Sequence, residues 1–307
     1  MQTKSKELIL SAKGLNKRYG SYEVLRDLNL ELEKGSILGL VGLNGSGKTT
    51  ILNCLLGLQT ANSGVISLLN FGPQTLHQSK GKIVGIFDSP SLHPNLTVRQ
   101  NLEHASLLTA TARTPKQVEK LLGIEKFAKF KLRKLSLGNK RRASIAHALI
   151  GNPDLIILDE PFNGLDAGGV DDVLALIRQL NETDGTSFLL SSHQLPYLEN
   201  ICSHIAILHH GKICLSDRID NLLSSASSTI KLRTASPSSA SSLIDSHPNI
   251  QILELDAQGY TTLSLTDMSS SELNRLLVES NVPVDELMVQ RPSLKDLFQK
   301  ITNERSE

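Results

Sequence analysis

The segment Gly42-Leu43-Asn44-Gly45-Ser46-Gly47-Lys48-Thr49 constrains the fold more than any other part of this 307-residue chain. It matches GxxxxGK[ST], a loop that works only between a strand and a helix. The glycines let the backbone curl until successive N–H groups point inward, and the dipole of the following helix favours an anion there. The flanks agree: an apolar run at 36–41 precedes the loop, and a helical pattern follows from Lys48. The chain therefore reads as α/β, with a phosphate-gripping loop at a strand exit. Gly42, Gly45 and Gly47 serve the curl, and Asn44, Ser46 and Thr50 belong to the same lining. Lys48 supplies a point charge to β- and γ-phosphates, and Thr49 a hydroxyl to Mg²⁺.

Around this loop the pattern alternates. Residues 9–15 and 25–32 read as strands of an edge sheet, while 155–158 and 187–190 are short continuous apolar strands, as in a parallel sheet covered on both faces. Between them, a helix over 98–108 behind the N-cap Thr97 and another starting at Pro115 after Thr114 open a helical insertion at about 90–150. These elements predict a nucleotide-binding domain over 1–220. Serines then crowd residues 224–242, which admits a disordered linker. Periodicity nevertheless persists, with strands expected at 229–233, 250–255, 261–265 and 284–289 and helices at 237–246, at 269–279 and from Ser293. The β-α-β-β-α-β order predicts a small ferredoxin-like α+β accessory domain over 221–307.

A net charge of +1 argues against a polyelectrolyte partner, so no nucleic acid is expected. Residues 1–10 lack the apolar core and cleavage site of a secretory signal. The apolar runs fall short of the ~20 residues that span a bilayer, so a membrane role would come through a partner. Cys54, Cys202 and Cys214 have no paired ligand spacing and read as reduced thiols without chemistry; His209-His210, before Gly211, reads as a solvated turn.

Asp159 and Glu160 leave the strand at 155–158 at the end where parallel sheets bind ligands. Asp159 is suited to hold Mg²⁺ through its water shell, and Glu160 to take a proton from, or orient, the water that attacks the γ-phosphate.

From residue 8 to about 217, these motifs in this order resemble the ATP-binding subunits of ABC transporters, which implies a P-loop NTPase core of ABC type with an antiparallel β subdomain and an inserted helical subdomain. Gly42 to Thr49 corresponds to Walker A, Asp159 and Glu160 to Walker B with its catalytic glutamate, and Ser136 to Asn139 to the signature. Tyr19, in Lys17-Arg18-Tyr19-Gly20, matches the aromatic that stacks on adenine; a base on an aromatic face is worth ~1–3 kcal/mol. Asn163-Gly164-Leu165-Asp166 resembles the D-loop and His193 the switch histidine, a donor to the γ-phosphate. In this family Ser136 and the N–H groups near Gly138 meet the ATP of the opposite subunit.

Some positions depart from the common pattern. Asp88, in Gly85-Ile86-Phe87-Asp88-Ser89-Pro90, stands where most members carry glutamine. An acidic residue there is similar to the subgroup that expels bacitracin or protects lantibiotic producers, where glutamate is usual. Being one methylene shorter, Asp88 is expected to approach the metal through a water or to act mainly at the coupling surface. Leu137 replaces the second signature glycine, Asn139 its glutamine, Phe162 a threonine and Ala167 a proline. The tail from Arg291 to Phe298 is also similar to that of many such exporter subunits.

The resemblance implies an ATPase using ATP and Mg²⁺, a homodimer or heterodimer of ATP-binding subunits, and an integral membrane permease that holds the protein on the cytoplasmic face of the membrane. Peptide-antibiotic export is the expected task. Alternatives are a soluble ABC ATPase acting on ribosomes or DNA, and a non-transport module that only senses ATP.

Overall fold

The computed structural model describes residues 7–87, 92–109, 113–225, 228–290 and 292–303. The path opens with a long hairpin. Strands β1 (Leu8–Tyr19) and β2 (Tyr22–Glu33) pair antiparallel from Leu8 opposite Glu33 to Tyr19 opposite Tyr22. Both run beyond the apolar spans that announce them, because the antiparallel pairing continues through polar residues to the turn that joins them, with Arg18 opposite Glu23 and Tyr19 opposite Tyr22. Strand β3 (Ile37–Val41) is buried at every position and feeds the glycine loop and helix α1 (Lys48–Leu55). Strand β4 (Ser63–Leu68) pairs with the free edge of β1, completing a three-stranded antiparallel sheet in the order β2-β1-β4.

After β5 (Ile83–Ile86) the described residues include the α-helices α2 (Val98–Ser106), α3 (Pro115–Leu121) and α4 (Leu137–Leu149). Capping boxes open the first two. Thr97 accepts from the Gln100 N–H and Thr114 from the Gln117 N–H, and each glutamine reaches back to the cap's own N–H. The Arg99 guanidinium on α2 grips Glu119 on α3, with Nε 2.5 Å from Oε1. Glu119 is buried, so its charge is tolerable only because that partner is present.

The chain then alternates strand and helix: β6 (Leu155–Asp159), α5 (Ala167–Asp184), β7 (Ser187–Ser192), α6 (Leu195–Ile201), β8 (His204–His209) and β9 (Lys212–Arg218). These strands join β3 and β5 in a six-stranded sheet of order β5-β6-β7-β3-β8-β9, parallel except for β9. The order puts β6, β7 and β3 side by side, so the chemistry at their C-terminal ends converges. One expectation is corrected here. His209 is the last residue of β8 and is buried, its ring 4.1 Å from that of His210, because β8 extends one residue past its apolar run; only His210 turns the chain, at φ 45°. Cys54 and Cys202 are buried too, and desolvation raises the pKa of both thiols, which keeps them protonated.

Residues up to Ile219 form one compact unit and those from Asp220 on form another. Helix α7 (Ile219–Ser225) leads into the second, followed by β10 (Thr229–Arg233), α8 (Pro237–Asp245), β11 (Ile250–Leu255), β12 (Thr261–Leu265), α9 (Ser270–Glu279), β13 (Glu286–Gln290) and α10 (Leu294–Asn303). Its sheet, ordered β11-β12-β10-β13, is antiparallel throughout, the ferredoxin-like arrangement. Ile230, Leu232 and Leu263 of the sheet pack with Ile244, Leu273 and Leu277 of the helices. The serine-rich stretch is therefore partly α8, with Ala240 and Ile244 on its buried face.

Helix α9 starts at a further capping box. Ser269 accepts from the Glu272 N–H, and the Glu272 carboxylate accepts from the Ser269 N–H and hydroxyl, both at 2.7 Å. Those bonds, the backbone one foremost, hold the Glu272 pKa below its ordinary value. A depressed carboxylate contributes stability above its unfolded pKa and loses it as pH falls through the folded one. Ser269→Ala is expected to cost about 1 kcal/mol in this unit at neutral pH, read from amide exchange in α9, and the gap to wild type should narrow on acidification.

Candidate active site

Strand order brings the predicted residues together. Val41 of β3 is in register with Ser192 of β7, and Asp159 of β6 with Ser191, so three adjacent strands end on one rim. The glycine loop leaves β3 there. Gly47 sits at φ 109°, where a side chain is strained, and a Cβ on Gly42 would meet the Ser46 Oγ at 2.5 Å and the Leu208 carbonyl at 2.8 Å. No side chain caps α1, whose N-terminus opens onto the loop. The buried Ser46 Oγ has no hydrogen-bond partner among the described residues. Inward N–H groups and an unspent buried hydroxyl fit a phosphate.

Lys48 is buried and its ammonium donates to the carbonyls of Gly42 at 2.8 Å and Leu43 at 3.3 Å. It also lies 3.5 Å from the Glu160 carboxylate. The Thr49 hydroxyl donates to Asp159 Oδ2 at 3.0 Å, and the Ser191 hydroxyl donates to the other oxygen, Oδ1. A hydroxyl and a carboxylate this close form an oxygen donor pair suited to a small hard cation that keeps most of its water. Among the described residues no cluster of three or more His, Cys, Asp or Glu could hold a metal by itself. That donor set fits Mg²⁺ carried mainly by phosphate and water.

Glu160 directly follows β6 at φ 45°. For a residue with a side chain that conformation costs on the order of 1–3 kcal/mol, and strain of this kind concentrates where geometry matters. The Glu160 N–H is anchored on the Ser191 carbonyl at 3.0 Å. Its carboxylate lies 3.0 and 3.1 Å from His193 Nδ1, which donates when it carries the proton. Gln194 donates to Asn163 at 3.1 Å, tying the segment after β7 to the one after β6. Phe162, buried between them, packs edge-on against Tyr197.

One cavity of about 400 Å³ is lined by Asn44, Gly45, Gly47, Lys48, Thr49, Thr50, Glu160 and His193, together with Val24 and Asn163. Asp159 lies behind that lining and is reached through Thr49. Val24, on β2, has no chemistry to betray it in the sequence, and Ser191 is one of three serines in β7, with nothing to single it out. Tyr19, Ser136 and Gly138 do not line the cavity. Tyr19 ends β1, exposed, its hydroxyl bonded to Gln59 and its ring 5.0 Å from the Lys17 ammonium. Ser136 caps α4, accepting from Asn139 Nδ2 at 3.0 Å, while a Cβ on Gly138 would lie 3.7 Å from Leu165. Leu137 presses on Gly164, where any side chain would clash with it at 2.4 Å. Asp88 lies outside the described residues.

A phosphate loop on the central strand of a mostly parallel sheet, with a threonine–aspartate pair and a glutamate at the end of β6, the next strand but one, defines a P-loop nucleoside triphosphatase. The ABC transporter family pattern matches residues 25–163. The bacitracin transport ATP-binding protein BcrA of Bacillus licheniformis is 32% identical over 95% of this chain and 97% of its own length. The chain belongs to the ABC transporter family and is an ATP-binding, ATP-hydrolysing subunit of a transporter. The lantibiotic transport ATP-binding protein SrtF of Streptococcus pyogenes is 33% identical over 69% of this chain and 92% of that protein. Among solved structures, the ATP-binding cassette MJ0796, a dimer in a post-hydrolysis state bound to ADP and Pi, superposes with a TM-score of 0.62 at 25% identity, covering 68% of this chain and 98% of that one. Among the described residues no helix is long and apolar enough to cross a membrane.

Proposed function

We propose that this subunit powers an exporter of peptide antibiotics such as bacitracin or lantibiotics, docked on the cytoplasmic face of a separate membrane permease. The observation that carries the reading is the end-to-end alignment with a bacitracin transport subunit, which includes the C-terminal unit and not the cassette alone. Residues up to about 220 act as the ATP-binding domain and residues 221–307 as an accessory domain.

In the working cycle two such chains sandwich two ATP molecules. Lys48 and the loop N–H groups hold the phosphates, with Asn44, Ser46 and Thr50 lining them, and Tyr19 stacks on the base. Glu160 takes the proton of the attacking water, and His193 orients that carboxylate and senses the γ-phosphate. Thr49, and Asp159 through water, would hold Mg²⁺, and Asp88 would act through a water or at the coupling surface; the ion, when bound, would offset negative charge on the phosphates. Ser136 and Gly138 of one chain close on the nucleotide of the other. This division of labour is supported by the exposed position of Ser136 at the start of α4.

Co-expression of the tagged subunit with its candidate permease tests the reading. The expected result is copurification of a polytopic membrane protein and raised tolerance to bacitracin or a lantibiotic, lost with Glu160→Gln. Tolerance unchanged by the pair, despite copurification, would refute the peptide-antibiotic assignment.

A further inference from the structure

Arg141 sits in α4 between Lys140 and Arg142, and it is only 3% exposed. Its guanidinium reaches two strand ends. Nη1 donates to the Phe87 carbonyl at 3.0 Å, and Nη2 to the Glu160 carbonyl at 3.3 Å. Phe87 directly follows β5 and Glu160 directly follows β6, neighbours in the parallel sheet. A planar fork with several donors suits two carbonyls at once, and its charge strengthens both bonds.

The bond to Glu160 has a particular consequence. Glu160 holds a left-handed backbone that residues with side chains disfavour, and its N–H is fixed on the Ser191 carbonyl. Arg141 fixes the carbonyl on its other side. Both peptide groups around the strained residue are therefore tethered, one to β7 and one to α4. Helix α4 is also the helix capped by Ser136.

We propose that Arg141 is a positioning residue that ties the proton acceptor of one ATP site to the helix that completes the other. The proposal rests on the roles given above to Glu160 and Ser136. When Ser136 engages the partner's nucleotide, any shift of α4 reaches the Glu160 backbone through one rigid side chain, so filling one site aligns the carboxylate of the other.

The test uses the full-length protein, with ATPase rates measured against MgATP, ATP affinity measured with a fluorescent analogue, and thermal melting. Arg141→Met keeps the stem and removes the donors. It should lower kcat by roughly 10- to 100-fold, the scale set by misplacing a catalytic group. KM and ATP affinity should stay within about twofold, the signature of an interaction that acts in the transition state. The Hill coefficient, above one in the wild type, should fall to one, and Arg141→Lys should recover part of kcat. Unchanged kcat and Hill coefficient in a folded Arg141→Met would overturn the proposal. So would a loss of kcat matched by lost ATP affinity, or a wild-type Hill coefficient of one. If the methionine variant does not fold, Arg141→Gln, which keeps a single short donor group, is read by the same criteria. Glu160→Gln run in parallel separates the two ideas: wild-type turnover there removes the role of Glu160, whereas an inactive Glu160→Gln beside unaffected Arg141 variants removes only the role of Arg141.

Discussion

Glu160→Gln should lower ATP turnover by roughly 10²–10⁴ while the protein still binds ATP, the usual contribution of a positioned proton acceptor. The amide matches the carboxylate in shape, so the left-handed backbone at φ 45° and its bond to the Ser191 carbonyl should survive the change. What disappears is the basic oxygen facing the cavity and the negative charge 3.5 Å from the Lys48 ammonium. With that charge gone, Lys48 is freer to answer phosphate, so ATP affinity should hold or rise. Arrest before hydrolysis should then accumulate an ATP-bound dimer, seen as a doubled mass by light scattering. A variant that hydrolyses at the wild-type rate would end the assignment of Glu160. One that is inactive but has also lost ATP would point instead to collapse of the Lys48–Glu160–His193 arrangement.

Much of this site is legible in the sequence because its geometry demands particular residue types. Gly47 at φ 109° leaves little choice of residue, and Asp159 and Glu160 are conspicuous as charges ending a buried apolar strand. Thr97 and Ser269 are equally legible, since a helix start with unsatisfied N–H groups selects side chains of this kind. Strand β4 is not: its first residues are exposed and its Gly64 is a poor strand former, so no alternation marks it, and it exists because β1 offers an open edge. Val24 is likewise silent, being one apolar residue on a strand of them. Arg141 is silent too, because nothing in a basic residue between two others marks the two strand-end carbonyls that the fold brings to it. The readable residues answer to local backbone geometry, and the unreadable ones to partners supplied by tertiary structure.

Lys48→Met should abolish useful ATP binding, and the reason lies in what surrounds the ammonium. Lys48 is 6% exposed and spends its hydrogen bonds on the Gly42 and Leu43 carbonyls, which places its charge at the mouth of the glycine loop. Methionine preserves the stem and its packing, so the loss isolates the charge. Removing one partner of a desolvated, hydrogen-bonded charge pair costs roughly 2–5 kcal/mol, which is about 30-fold to several thousandfold in affinity. The protein without nucleotide should suffer as well, because the nearby Glu160 carboxylate loses its closest cation and is left facing His193 alone. Melting separates the two effects. Saturating ATP at about 100 times Kd should stabilise the wild type by ~2.7 kcal/mol, whereas at the same ATP concentration Lys48→Met should gain at most ~0.9 kcal/mol, and almost nothing at the upper end of the affinity loss. If the variant shows the wild-type shift on adding ATP, the ammonium is not what holds the phosphates, and the backbone N–H groups of the loop and the dipole of α1 must carry the binding between them.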